Sequence, residues 1–96
     1  MKKYLGQRLT FTAIRGQVSV AKGTVEEKRV CLNNIKINGV QVKDHSWITW
    51  DKRTSTITKY MEFEFKATVA QYISLDENHR QILKYKLVKV REVKAI

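Results

Sequence analysis

Apolar and polar residues alternate with a period of two in five stretches of this chain, separated by short polar breaks. That is the pattern of half-buried β-strands. The first stretch, residues 5–20, sets Leu9, Phe11 and Ala13 against Arg8, Thr10 and Thr12. Gly6 and Gly16 permit bends or bulges, so it reads as one long, coiled strand. A polar run over residues 21–28 reads as a loop or hairpin tip. In the second stretch, residues 29–37, Val30 and Leu32 share one parity while Ile35 and Ile37 share the other. That switch predicts a bulge near Asn33-Asn34. Asn38-Gly39 lies between two alternating apolar runs, the strongest short hairpin signal, because both turn positions require positive φ.

The third stretch covers residues 40–50, and a polar connector follows at 51–56. The fourth, residues 57–72, places Met61, Phe63, Phe65, Ala67 and Val69 opposite Glu62, Glu64, Lys66 and Thr68. Residues 74–78 read as a loop. In the fifth, residues 81–93, Leu83, Tyr85 and Leu87 share a parity that Val88 and Val90 do not. Leu83, Leu87 and Val90 also fit helical spacing, but the β-branched residues at the end favour a strand. Five strands, a long coiled first strand and the Asn-Gly hairpin predict an all-β, five-stranded OB-fold-like barrel. An SH3-like barrel is the alternative. The short connector at 51–56 leaves little room for a helix between strands three and four. Phe11, Phe63 and Phe65 are expected in the core, with Cys31 as a small core residue.

Length and charge narrow the picture. The 96 residues make one domain. Lys and Arg number 19 against 9 Asp and Glu, a formal net charge of +10. Such an excess favours a polyanionic partner and argues against a nucleic-acid mimic. The alternative is a basic protein whose lysines are merely solvated. No apolar run is long enough for a membrane span, and no apolar stretch follows Met1-Lys2-Lys3 as a secretory signal would require. A single cysteine points to a reducing, cytoplasmic setting.

Several segments carry a resemblance: residues 8–13 (RLTFTA), 30–35 (VCLNNI), 44–48 (DHSWI), 65–72 (FKATVAQY) and 85–87 (YKL). Together they resemble a group of small OB-fold, single-strand-binding-like proteins carried by phages, plasmids and other mobile elements of Gram-positive bacteria. The likeness spans most of the chain, and Asp44-His45-Ser46-Trp47 is its most specific part. Within that group the sequence looks like the small middle proteins of staphylococcal cassette chromosome elements. Those are encoded between an A-family polymerase and a helicase and confer priming activity on the polymerase. One departure stands out: the group's Gly-Asp pair before the fourth strand is missing from residues 58–62 (TKYME). Functions tied to that connection are therefore in doubt for this chain.

A single-strand-binding OB barrel needs a basic groove for phosphates and aromatic faces for bases. Trp47 and Trp50 have opposite parity on the third strand, so a regular strand turns one inward and one outward. Trp50, beside Asp51-Lys52-Arg53, is the preferred base platform, with Trp47, Tyr60 and Tyr72 as further candidates; each alternatively anchors the core or a barrel end. The expected phosphate path comprises Lys28, Arg29, Lys36, Lys43, Lys52, Arg53, Arg80, Lys84 and Lys86. Asp44 and His45 read as an Asp that fixes a turn or accepts a backbone hydrogen bond, with a His packed beside it, rather than an acid–base pair. His45, His79 and Cys31 lack metal-ligand spacing, and no nucleophile, phosphate-loop or paired-carboxylate motif is present.

The expected function is therefore binding of single-stranded nucleic acid, DNA before RNA, without catalysis, cofactor, metal or small-molecule ligand. The resemblance implies an accessory role beside a polymerase in mobile-element replication. A protein–protein adaptor and a structured-RNA-binding factor are the alternatives. Exposure of Trp50 and Tyr72 on the basic face discriminates the binder from the adaptor.

Overall fold

The computed structural model describes residues 1–21, 27–49 and 54–96. Five strands, β1 (Arg8–Ala21), β2 (Glu27–Ile37), β3 (Val40–Thr49), β4 (Glu62–Leu75) and β5 (Gln81–Ala95), form one antiparallel sheet in the order β3-β2-β1-β4-β5. β1 is long enough to serve both halves of it. Its start pairs with β4 from Arg8 to Ile14, and its later part pairs with β2 as far as Ala21. The register with β2 shifts between Arg15 and Val18, around the buried Gly16. A Cβ on Gly16 would stand 2.7 Å from Asn33 Nδ2 and 2.9 Å from the Cys31 carbonyl oxygen, so only glycine lets the strands approach this closely. The bend curls the sheet until its two edges, β3 and β5, meet. The result is the small, partly open OB-fold-like barrel expected from the alternation.

The Asn38-Gly39 hairpin forms with φ of 50° and 79°, the positive pair that a two-residue primed turn requires. The parity switch in β2 is a bulge at Asn34, whose φ is 50°. β5 is a strand, and its helix-like spacing has a definite cause. Lys89 and Glu92 take φ of 54° and 53° at two register shifts opposite β4. Each bulge inserts one residue, so Leu87, Val90 and Val93 turn toward the core at intervals of three.

Several boundaries differ from the sequence reading. Residues 2–4 form a single 3-10 turn, and Leu5 makes only an isolated parallel bridge to Val69. β4 begins at Glu62, not at residue 57. Ile57 is nonetheless buried, reaching the core from the connector after a 3-10 turn at Thr54–Thr56. The connector is tied to β1: Tyr60 N–H donates to the Arg15 carbonyl at 2.7 Å, and Arg15 N–H to that of Met61 at 3.0 Å. β4 also continues through the expected loop at 74–78 to Leu75. The turn is shorter because Asp76 Oδ1 accepts from Asn78 N–H at 2.8 Å and Arg80 N–H at 2.9 Å, an Asx-type closure.

Phe11, Phe63 and Phe65 are buried as expected, with Val30, Leu32, Ile35 and Val69 around them. Ring centroids lie 5.6 Å apart for Phe11–Phe65 and 5.2 Å for Phe63–Phe65, within the range of favourable aromatic pairs. Cys31 is not a core residue. With Val30 and Leu32 turned inward, the residue between them must face out. Cys31 sits half-buried opposite Trp47, its Sγ 3.6 Å from Asn33 Oδ1. Partial burial, and secondarily the Asp44 charge, push its pKa up from 9.0.

Candidate nucleic-acid interface

The edges β3 and β5 lie side by side, but no backbone ladder joins them among the described residues. Lys43 crosses the seam instead, its ammonium donating to the Tyr85 carbonyl oxygen. A groove of about 830 Å³ runs along this seam. Ser46, Ile48 and Leu87, inward on their strands and buried, line its deep side. Around them stand Trp47, Tyr72, Arg29, Lys84 and Lys86.

Trp47 projects from the opposite parity to Ser46 and Ile48 and is 43% exposed. Trp47 therefore faces out; Trp50, the preferred platform, lies outside the described residues with Lys52 and Arg53. Tyr72 is 39% exposed and pairs with Lys84 across the β4–β5 ladder. The Lys86 ammonium sits 5.5 Å from the centre of the Tyr72 ring, a cation–π contact. Lys43 lines the groove too, but its charge is constrained. Burial, and then the neighbouring Lys84, lower its pKa from 10.5. Among the described residues no carboxylate lines the groove, although Asp44 stands 3.5 Å from the lining residue His45.

The other expected site residues are placed elsewhere. Lys28, Lys36 and Arg80 do not line the groove. Tyr60 is exposed on the connector with Lys59 at 5.1 Å from its ring centre, and it too lies outside the groove lining. Asp44 and His45 are not at a turn. They occupy the middle of β3, exposed, with Asp44 Oδ2 3.5 Å from His45 Nδ1. His45 pairs with Asn33 and lines the groove, a position its strand parity with Trp47 already implied.

Leu83 and Tyr85 were missed as groove residues, because their parity with Leu87 reads as core. The β4–β5 hairpin outruns the barrel, however. The Ile73–Leu83 pair and Leu75 therefore carry the inward face into solvent, each more than half exposed. Nothing in the local pattern marks where the barrel ends. Met1 also lines the groove, for which the sequence gives no signal.

Among the described residues no three His, Cys, Asp or Glu gather as a metal site, and no helix is long and apolar enough to cross a membrane. Compared with known proteins, the chain matches no family model, no curated protein and no solved structure.

Proposed function

We propose that the protein binds single-stranded nucleic acid, DNA in the first place, along the β3–β5 seam. The observation that carries this reading is the groove itself. It sets the exposed aromatic residues Trp47 and Tyr72 among Arg29, Lys84 and Lys86. Bases stacked on aromatic side chains contribute roughly 1–3 kcal/mol each and need no particular sequence. A duplex keeps its base faces stacked inside, so the aromatic component selects for single strands. The lysines and arginine hold the backbone and make binding salt-dependent. The exposure of Tyr72 supports a binder over an adaptor.

A protein partner is part of the proposal. The resemblance suggests a polymerase, beside which the protein would hold the template strand as a replication accessory in a mobile element. The exposed Ile73, Leu75 and Leu83 support a protein contact, since clustered apolar surface on a small basic domain suits docking. The same observation is what favours a pure adaptor as the second reading.

A salt titration with fluorescent single-stranded and duplex oligonucleotides of equal length, with matched RNA, tests this. The expected result is preference for the single strand, quenched tryptophan emission, and a log–log salt slope of about −2 from three neutralised phosphates. Equal binding of both forms would overturn the single-strand preference and leave phosphate attraction alone, and absent binding of both at low salt would leave the adaptor.

A further inference from the structure

The seam does not end with the aromatic groove. A second depression of about 340 Å³ continues it, bounded by Ile48, Thr49, Val88, Lys89 and Arg91. The two share Ile48, Thr49, Leu87 and Val88, so they form one continuous path along β5. The bulge that places Lys89 at positive φ lies on this stretch, so β5 changes direction here and Lys89 and Arg91 both come to border the opening. The lining differs in kind from the first groove. It contains two cations and an apolar floor of Ile48, Leu87 and Val90, and among the described residues no aromatic ring and no carboxylate. The nearest acid on the strand, Glu92, is paired with Lys66 at 2.8 Å, and that ion pair holds its carboxyl below the usual 4.5. Arg91 is ordered by its own chain, one guanidinium nitrogen donating to the Val90 carbonyl at 2.8 Å. The Lys89 carbonyl is held in turn by Arg8 at 3.1 Å.

We infer that this second depression is a phosphate subsite, in which Lys89 and Arg91 grip the sugar-phosphate backbone of the strand leaving the aromatic groove. The inference rests on the single-strand reading above. Continuity with the first groove and charge of the matching sign give the site its occupant. The described lining residues carry two cations and no ring, which gives the site a distinct signature: electrostatic attraction without stacking. From Val88 to Arg91 the path is about 10 Å at 3.3 Å per residue. At the 3.4 Å per nucleotide of a stacked strand that is about three nucleotides.

The test is a length series of oligothymidylates with the whole chain, read by tryptophan quenching and by affinity. Quenching is expected to saturate first, and affinity to go on rising over about three further nucleotides. In Lys89→Gln/Arg91→Gln, that late rise is expected to vanish and the salt slope for the long strands to fall by about 1.4, from two lost phosphate contacts. Lys59→Gln/Lys94→Gln makes the same charge change outside both depressions and controls for net charge. If the two double variants lose affinity equally, or if quenching and affinity saturate at one length in the native chain, the subsite is overturned while the single-strand reading stands. If no strand of any length binds or quenches, that reading fails, and the subsite with it.

Discussion

Two walls of one barrel contrast sharply. Where β1 meets β4, pairing runs without a break from Arg8–Thr68 to Ile14–Glu62. The inward residues there, Phe11, Ala13, Phe63, Phe65 and Ala67, are wholly enclosed. Where β3 meets β5 there is no ladder, and a lysine bridges the gap. In the first wall the backbone groups satisfy one another, so the inward side chains have only to fill space. In the second the edges keep unpaired backbone positions, and the side chains around them stay exposed, aromatic and cationic. Closure makes stability, and the place where closure stops becomes the place available for binding.

The contrast can be broken hardest at Phe65. Phe65→Ala removes a ring that contacts both Phe11 and Phe63, and it is expected to cost about 3–5 kcal/mol in urea unfolding. A cost below about 1 kcal/mol would show that the closed wall is not the core. Trp47→Ala should do the reverse. Affinity for single strands is expected to fall by roughly 1–3 kcal/mol, about 5- to 150-fold, while the urea midpoint moves far less than for Phe65→Ala. Undiminished binding would remove the seam from the functional account.

Lys43 offers the finest discrimination. Its pKa is lowered from 10.5, by burial first and then by Lys84. The folded chain therefore gives up this proton before the unfolded chain does. The associated stability is complete above pH 10.5 and is lost as pH falls through the lowered folded value. Relative to Lys43→Met, the native chain should thus gain stability as pH rises toward 10.5, a small difference visible in paired urea midpoints. A difference that stays flat across that range would show the ammonium to be fully solvated.

Legibility in the sequence followed how local the cause was. The Asn38-Gly39 turn and the bulge at Asn34 announce themselves through residues that tolerate positive φ. The three core phenylalanines follow from period two alone. The β5 bulges are silent by comparison, because Lys89 and Glu92 carry no such signature and their positive φ is imposed by pairing with β4. The same holds for Ile57, which enters the core from outside any strand. Trp47 was legible as half of an either–or, since parity separates it from Trp50 without saying which faces out. Leu83 shares the parity of the buried Leu87 and is exposed, because alternation records the side of a strand and not the point where the barrel ends. Of the cations the sequence singled out, Arg29, Lys43, Lys84 and Lys86 line the groove, whereas Lys28, Lys36 and Arg80 do not.

The open seam has a further consequence, for copies of the chain meeting one another. Two bare strand edges are a template on which another polypeptide can pair, edge to edge. Here the β5 edge is irregular, kinked at Lys89 and Glu92, and it carries Lys84, Lys86, Lys89, Arg91 and Lys94 along its length. A kinked ribbon studded with like charges is a poor partner for its own kind. The residues that attract a polyanion thus also keep neighbouring molecules apart, and dissolved ions screen both effects together, over a distance of about 8 Å at physiological ionic strength.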